Sequence, residues 1–166
     1  MTEPLATTTY ARIVSRETVR ITLTLASLND FPVKVADIRN SYTMATVTEK
    51  IWTVLGPKLC ENAGRSSIVV QAHYGLKSAG AAFWNHLADC MHNLGFQPCP
   101  DNLDLWMKPI VMPENIFNFY TYVLIYVDDM MVVHHDADSV LRGIYNYFKL
   151  KPSFIGDPEI YLGAKF

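Results

Sequence analysis

The sequence predicts a mixed α+β domain with hairpin-linked strands at its centre. Two runs of β-branched and aromatic residues, 119–126 and 130–133, flank a short segment that contains two aspartates, and this pattern is typical of a β-hairpin. Other segments place apolar residues at helical spacing. The chain has 166 residues, of which 50% are hydrophobic and 18% charged, so one domain can bury a substantial core.

The first half of the chain predicts one helix and three strands. Residues 15–28 have an apolar face at helical spacing, with Ser15 placed to cap the first turn. A strand then ends at Asp37. Short apolar runs predict further strands at 51–55, which ends at a Gly-Pro pair, and at 68–74.

The second half predicts two helices around the central hairpin. Residues 78–94 keep helical spacing, and Gly95 is a favourable terminator. The segment 105–107 is strand-like and the hairpin follows it. A helix is predicted at 138–150, and a final strand at 159–166.

Asp128 and Asp129 place two carboxylates between the strands of the predicted hairpin. Adjacent carboxylates raise each other's pKa unless a cation lies nearby. A hard divalent cation, which prefers oxygen ligands, meets that need. The alternative is a solvated β-turn, in which Asp is common because its side chain hydrogen-bonds to the backbone.

Asp37 adds a third carboxylate, at the end of another predicted strand. Aspartates at strand ends converge when their strands are neighbours in one sheet, and their oxygens can then share one or two metal ions. Such a site suits two-metal phosphoryl transfer. Asp37 taken by itself could instead cap the segment that follows it.

Five separated segments carry a family resemblance. In order they are VSRETVRI (14–21), ADIRNSY (36–42), YGLKSAGAA (74–82), YVDD (126–129) and YLG (161–163). Together they resemble the reverse transcriptases of the Ty1/copia class of retrotransposons, and the similarity extends from about Tyr10 to the last residue.

The resemblance implies an RNA-directed DNA polymerase domain of a Pol polyprotein. Residues 1–166 would form the palm, an antiparallel sheet backed by helices, with part of the fingers. We expect the upstream finger strands, thumb, ribonuclease H and integrase to lie outside the chain, and the isolated chain to have little or no activity. The implied partners are an RNA or DNA template with a primer, a deoxynucleoside triphosphate (dNTP) and other Pol segments, without a membrane. The family suggests cytoplasmic virus-like particles.

The resemblance also assigns the catalytic centre. Asp37, Asp128 and Asp129 match the family's catalytic, metal-binding carboxylates. They would hold two Mg²⁺ ions, for which Mn²⁺ could substitute, between a primer 3′-hydroxyl and the dNTP. The backbone of Ile38 would add one oxygen ligand.

The nucleotide-binding residues implied by the family are Tyr42, Tyr74, Gly75 and Lys77. The ring of Tyr42 would fill the space of a ribose 2′-hydroxyl, although a core tyrosine is equally compatible with the residue alone. Gly75 would permit close approach of the backbone to a nucleotide. Lys77 would contact a phosphate, or simply be solvated.

Primer-binding residues are implied at Tyr126, Leu162 and Gly163. Tyr126 would lie under the primer terminus, and the other two would grip the primer strand. Trp84, however, stands where related sequences often carry a basic residue. That departure leaves open a catalytically inactive remnant that retains only the fold. An unrelated two-metal nuclease is a third alternative, which would require a His or Glu base near the acids.

Composition limits the remaining classes. The net charge of −2 is unusual for a protein that binds a polyanion, so basic surfaces of the enzyme are expected outside this chain. The three cysteines have no disulfide-like spacing, which favours a reducing compartment. A zinc site at His86, Cys90 and His92 is disfavoured, because residues two apart face different sides of a helix. Neither a signal peptide nor a membrane span is expected.

Overall fold

A computed structural model describes residues 14–110, 119–152, 155–158, 160–161 and 164–165. The chain divides into two compact units. The small unit comprises Asn40–His86, and the sheet unit comprises the described residues of Arg12–Arg39 and Leu87–Phe166. The principal elements in chain order are α1 (Arg16–Leu28), β1 (Val33–Asp37), β2 (Trp52–Val54), β3 (Ser66–Ile68), α2 (Ala79–Asn93), β4 (Gln97–Cys99), β5 (Asn102–Ile110), β6 (Phe119–Tyr126), β7 (Asp129–Val133), α3 (Ala137–Tyr145), β8 (Ile160–Tyr161) and β9 (Ala164–Lys165).

The sheet unit is built on a five-stranded antiparallel sheet. Its strand order is β1-β7-β6-β5-β4, so the β6–β7 hairpin lies inside the sheet and β1 pairs with β7. The connection from β1 to its neighbour β7 passes through more than half of the chain. The predicted mixture of helices with a central antiparallel hairpin is confirmed.

Both faces of the hairpin are buried. Leu124 and Met131 form a cluster with Val14, against which Val19 and Leu23 of α1 pack. The alternate positions of β6 and β7 point to the other face and are also buried. Helices α1 and α3 both pack on β7. Burial on both faces explains why these strands are continuous apolar runs rather than alternating ones.

The predicted helix ends are confirmed at two places. The hydroxyl of Ser15 accepts a hydrogen bond from the amide of Thr18, at 3.1 Å, and so caps α1. At the end of α2, Gly95 has φ +83°. Its amide donates to His92 at 2.9 Å, and that of Phe96 donates to Met91 at 2.9 Å. These two bonds form a Schellman motif, which requires a left-handed residue at Gly95.

Two predicted elements differ from the structure in their bounds. Of the strand predicted at 68–74, only Ile68 lies in β3 (Ser66–Ile68), where it pairs with Trp52, and Gln71 forms an isolated antiparallel bridge with Thr46. The helix predicted at 138–150 ends at Tyr145. Leu150 is buried in an isolated antiparallel bridge to Ile38 instead. Apolar spacing alone could not distinguish this bridge from another helical turn.

The predicted final strand, 159–166, is divided. Its described residues form two short antiparallel strands, β8 and β9, that pair with each other. Leu162 and Gly163 lie outside the described residues.

The small unit contains the β2–β3 hairpin, in which Trp52 pairs with Ile68. Two 3₁₀ segments, Ser41–Met44 and Pro57–Asn62, belong to the same unit. Among the helices that the structure describes, none combines the length and apolar character needed to cross a membrane.

Candidate active site

A two-residue turn joins β6 to β7. Tyr126 pairs with Asp129, which leaves Val127 and Asp128 in the loop. The φ angle of Val127 is +57°, whereas that of Asp128 is negative. Positive φ at the first loop position alone is the pattern of a type II′ turn. A β-branched residue there is strained, at a cost on the order of 1 kcal/mol or more, and the buried pairing of β6 with β7 holds it in place.

The strand register brings Asp37 and Asp129 together. Asp37 is the last residue of β1 and lies directly opposite Asp129, the first residue of β7. Directly opposed residues of an antiparallel pair project to the same face. The amide of Ile38 donates to the carbonyl of Asp128, at 2.9 Å, and ties β1 to the turn. Three carboxylates therefore share one end of the sheet.

Burial and mutual repulsion perturb two of these acids. Burial raises the pKa of Asp128, and the charge of Asp37 acts in the same direction. Burial also raises the pKa of Asp129, with further increases from the charges of Asp128 and Asp37. The positive charge of Lys151 opposes both shifts. The fold thus concentrates negative charge that a cation would stabilise.

Lys151 places a positive charge beside Asp37. Its ammonium nitrogen lies 2.6 Å from Oδ2 of Asp37, in an ion pair that is also a hydrogen bond. The side chains of Lys151 and Asp37 are 37% and 13% exposed, so the carboxylate is shielded from water while the lysine remains partly solvated.

Backbone pairing places Lys151 at this position. The amide of Lys151 donates to the carbonyl of Asp37 at 2.9 Å, and that of Arg39 donates to Lys149 at 2.8 Å. The Ile38–Leu150 bridge lies between these two bonds. The segment that follows α3 therefore runs along the outer edge of β1 and carries Lys151 beside Asp37.

The chemistry of the acids fits a divalent metal, although they do not form a closed set of ligands. Oδ1 of Asp37 is buried and lacks a hydrogen-bond partner among the described residues, so it is an acceptor available to a cation. Within the same part of the chain, no three His, Cys, Asp or Glu side chains are close enough to hold a metal ion. Mg²⁺ is usually bound by one or two carboxylates together with substrate phosphates, and such sites need no all-protein cage.

The predicted nucleotide-binding residues other than Ile38 belong to the small unit. The ring of Tyr42 contacts Tyr74 edge-on, with centroids 4.7 Å apart, and Phe83 at 6.1 Å. Tyr74 and Lys77 are exposed. Gly75 has φ +98°, and a β-carbon added there would meet no atom within 4 Å. Glycine is thus favoured by the backbone conformation and leaves open space above it.

The predicted primer-binding residue Tyr126 belongs to the sheet unit. Its side chain is half-buried beside the cluster of Leu124 and Met131. The roles assigned to all of these residues from the sequence stay predictions.

Comparison with known families decides the class of the chain. Residues 5–166 match the sequence model of a family described as reverse transcriptase (RNA-dependent DNA polymerase). The chain belongs to the reverse transcriptase family. The resemblance to copia-type retrotransposon enzymes, stated from five short segments, is confirmed at this level.

Two curated relatives are Pol polyproteins of Arabidopsis thaliana. The Retrovirus-related Pol polyprotein from transposon RE1 is 24% identical over 134 residues, which cover 77% of this chain and 8% of the relative. The corresponding polyprotein from transposon RE2 is 23% identical over 131 residues, covering 78% and 9%. This reverse transcriptase domain thus spans less than a tenth of either relative. No solved structure matches it.

Sequence reasoning missed Lys151 in this reverse transcriptase domain. The residue lies just past a segment predicted as helix to residue 150, and the helix ends five residues earlier, at Tyr145. Nothing in the local pattern distinguishes Lys151 from a solvated lysine. Its importance depends on a partner 114 residues away in the chain.

Proposed function

We propose that the chain is the catalytic palm, with part of the fingers, of an RNA-directed DNA polymerase that adds deoxynucleotides to a primer 3′-hydroxyl. The observation that carries this proposal is the register that places Asp37 opposite Asp129. Asp128 is next to them, and its carbonyl accepts a hydrogen bond from the amide of Ile38. In a member of the reverse transcriptase family, three carboxylates that are buried or half-buried at one end of the sheet are best explained as a site for metal-assisted phosphoryl transfer.

Asp37, Asp128 and Asp129 would hold two Mg²⁺ ions, or Mn²⁺ in their place. Bound divalent cations would activate the attacking hydroxyl and stabilise charge on the transferring phosphoryl group. The chain supplies the rigid support: Asp37 is fixed by strand pairing, and Asp128 by the bond from the Ile38 amide to its carbonyl. The orphan Oδ1 of Asp37 offers an oxygen that a hard cation prefers.

The residues of the small unit would bind the incoming nucleotide. Tyr42, held edge-on between Tyr74 and Phe83, would present a ring against the sugar and favour deoxynucleotides. Gly75 would allow the backbone to approach the nucleotide or template, since a β-carbon is absent at an open position. Lys77 is exposed and would contact a phosphate.

The primer would be bound at the sheet unit. Tyr126 pairs with Asp129 and would pack under the primer terminus. Leu162 and Gly163 would contact the primer strand, as the family pattern implies. The remaining partners would be an RNA or DNA template and further segments of a Pol polyprotein. Both relatives are named as Pol polyproteins.

Primer extension tests the proposal. The purified chain, with and without Mg²⁺ or Mn²⁺, is given an RNA template, a DNA primer and dNTPs. We expect any extension to require the metal and to fall at least about a hundredfold in Asp128→Asn, because loss of a metal-binding carboxylate costs several kcal/mol in the transition state. Asp89→Asn is the matched control, since Asp89 is exposed on α2.

Mn²⁺ binding, followed by electron paramagnetic resonance without nucleic acid, provides a second measurement if extension is weak. Wild type and Asp89→Asn should bind Mn²⁺, whereas Asp128→Asn should bind it more weakly. Extension or Mn²⁺ binding that is the same in Asp128→Asn as in wild type would refute the assigned site.

A further inference from the structure

We propose that Lys151 is an internal counter-ion of the acid cluster, which competes with divalent cations for the carboxylate of Asp37. Its ammonium nitrogen lies 2.6 Å from Oδ2 of Asp37. When a divalent ion binds, its positive charge repels the ammonium group of Lys151 and displaces it from Oδ2 of Asp37. The inference rests on the proposed function, because it takes the metal site at Asp37 as given, and it adds a residue that sets the metal affinity.

The geometry of this ion pair differs from that of an ordinary surface pair. Lys34, which lies on β1 as Asp37 does, pairs with Asp157 at 2.9 Å, but Asp157 is 87% exposed. Exposed pairs of that kind contribute little. The Lys151–Asp37 pair is shorter, at 2.6 Å, and its carboxylate is only 13% exposed, so the two pairs differ in length and in the carboxylate, while Lys151 at 37% is more exposed than Lys34 at 24%. A short, shielded contact between opposite charges is much stronger than an exposed one.

The backbone fixes the lysine at the site. Lys151 donates its amide to the carbonyl of Asp37, next to the buried Ile38–Leu150 bridge. Its side chain therefore starts beside that of Asp37 whatever the solvent composition. A counter-ion anchored in this way has a high effective concentration at the carboxylate.

The electrostatics of the cluster give Lys151 two opposing effects. Its charge lies close enough to stabilise the ionised forms of Asp128 and Asp129 as well as the carboxylate of Asp37. It therefore relieves repulsion in the metal-free fold. A divalent cation that approaches Oδ1 of Asp37, the orphan oxygen, meets a positive charge already bound to Oδ2. The same residue therefore stabilises the ionised carboxylates in the absence of metal and weakens metal binding.

Metal titration of the full chain tests the proposal. Isothermal titration calorimetry with Mn²⁺ alone gives dissociation constants for wild type, Lys151→Met, Lys151→Arg and Lys34→Met. We expect Lys151→Met to bind about tenfold more tightly, because one close positive charge is removed from the site. Lys151→Arg keeps the charge and should remain near wild type. Lys34→Met removes a lysine from β1, the strand of Asp37, and should also remain near wild type.

Thermal unfolding in EDTA reports the other effect. Without metal, we expect the Tm of Lys151→Met to fall by about 2–4 °C relative to Lys34→Met, because the carboxylates lose their counter-ion. Mn²⁺ should restore this loss and raise the Tm of Lys151→Met by more than it raises that of wild type. If Lys151→Met does not fold well enough to titrate, Lys151→Gln is used, which retains a hydrogen-bond donor without the charge.

Chemical labelling provides a measurement on the unmodified sequence. Reductive methylation modifies lysine amines, and its rate falls when the amine is held in an ion pair. Mn²⁺ should increase the labelling rate of Lys151 and leave that of Lys34 unchanged. An increase specific to Lys151 supports displacement from Asp37.

The possible outcomes separate this inference from the proposed function. Mn²⁺ binding by wild type that is equally strong in Lys151→Met overturns the counter-ion role and leaves the metal site intact. Absence of Mn²⁺ binding in both proteins overturns the proposed metal site and the inference with it. Tighter binding in both Lys151→Met and Lys34→Met shows a general charge effect and also overturns the specific role of Lys151.

Discussion

Asparagine substitution of two opposed aspartates should change stability in opposite directions. Asp37 and Asp129 face each other in the β1–β7 register, and Asp37 forms a 2.6 Å ion pair with Lys151. In the metal-free protein, Asp129→Asn removes a repulsive charge and should stabilise the fold. Asp37→Asn removes the partner of Lys151 and should destabilise it.

The magnitudes follow from the strand geometry. Side chains directly opposite in an antiparallel pair have β-carbons about 5 Å apart. At that separation two unit charges repel by about 1–3 kcal/mol for effective dielectric constants of about 80 to 20. Lys151 offsets part of this repulsion, so we expect Asp129→Asn to stabilise by about 1 kcal/mol. Loss of the charge-assisted hydrogen bond in Asp37→Asn should cost about 1–3 kcal/mol, and relief of about 1 kcal/mol of repulsion leaves a net loss of up to about 2 kcal/mol.

Urea unfolding in EDTA, followed by far-ultraviolet circular dichroism between pH 3 and pH 8, measures both variants. Because burial raises the pKa of Asp129 above its ordinary value of 3.8, the folded state retains the proton to higher pH than the unfolded state does. Ionisation of Asp129 therefore lowers the stability of the wild type relative to Asp129→Asn as pH rises from 3.8 through the raised value. The advantage of Asp129→Asn should develop over that window and then remain constant.

Particular results would refute this reasoning. If Asp129→Asn destabilises the metal-free protein, the two carboxylates do not repel in the folded state. If its effect is the same at low and neutral pH, charge is not the cause. If Asp37→Asn stabilises as Asp129→Asn does, the ion pair with Lys151 contributes less than the repulsion that it opposes.

Three further outcomes are expected. Gly95→Ala should cost about 1 kcal/mol in thermal unfolding because φ is +83° there, whereas Gly56→Ala, in open space at φ −74°, should be near neutral. Met131→Ala should cost about 2–5 kcal/mol in urea unfolding, since Met131 is fully buried; a loss below 1 kcal/mol would argue against the packing of α1 on the sheet. Burial lowers the pKa of His134 below 6.5, so the wild type should lose stability relative to His134→Gln as pH falls below 6.5. Melting temperatures of both proteins between pH 5 and pH 8 measure this difference. The charged or titratable neighbours His135, Asp136 and Lys108 are present in both proteins.

Local signals in the sequence predicted much of the fold. The cap at Ser15, the Schellman glycine at Gly95 and the β6–β7 hairpin each depend on residues a few positions apart. The end of α3 was predicted wrongly because Phe148 and Leu150 continue the apolar spacing of a helix while being buried by other contacts. Periodicity reports that a residue is buried but not which element buries it.

The candidate site divides in the same way. Asp128 and Asp129 are recognisable because they interrupt an apolar run, and Asp37 because it ends one. The neighbour relation of β1 and β7 was a hypothesis that needed the sheet order to establish it. Hairpin strands find their partner across two residues, whereas β1 and β7 find theirs across most of the chain.

The sequence by itself determined the family, the acidic hairpin and the identity of the three carboxylates, since all of these are written in short contiguous segments. Only the tertiary structure decided that Asp37 lies opposite Asp129 and that Lys151 lies against Asp37. The physical reason is that the ion pair joins residues 114 positions apart, through the pairing of a segment after α3 with the outer edge of β1. The position of Lys151 depends on backbone hydrogen bonds, which any residue except proline can donate, so the local sequence does not reveal it.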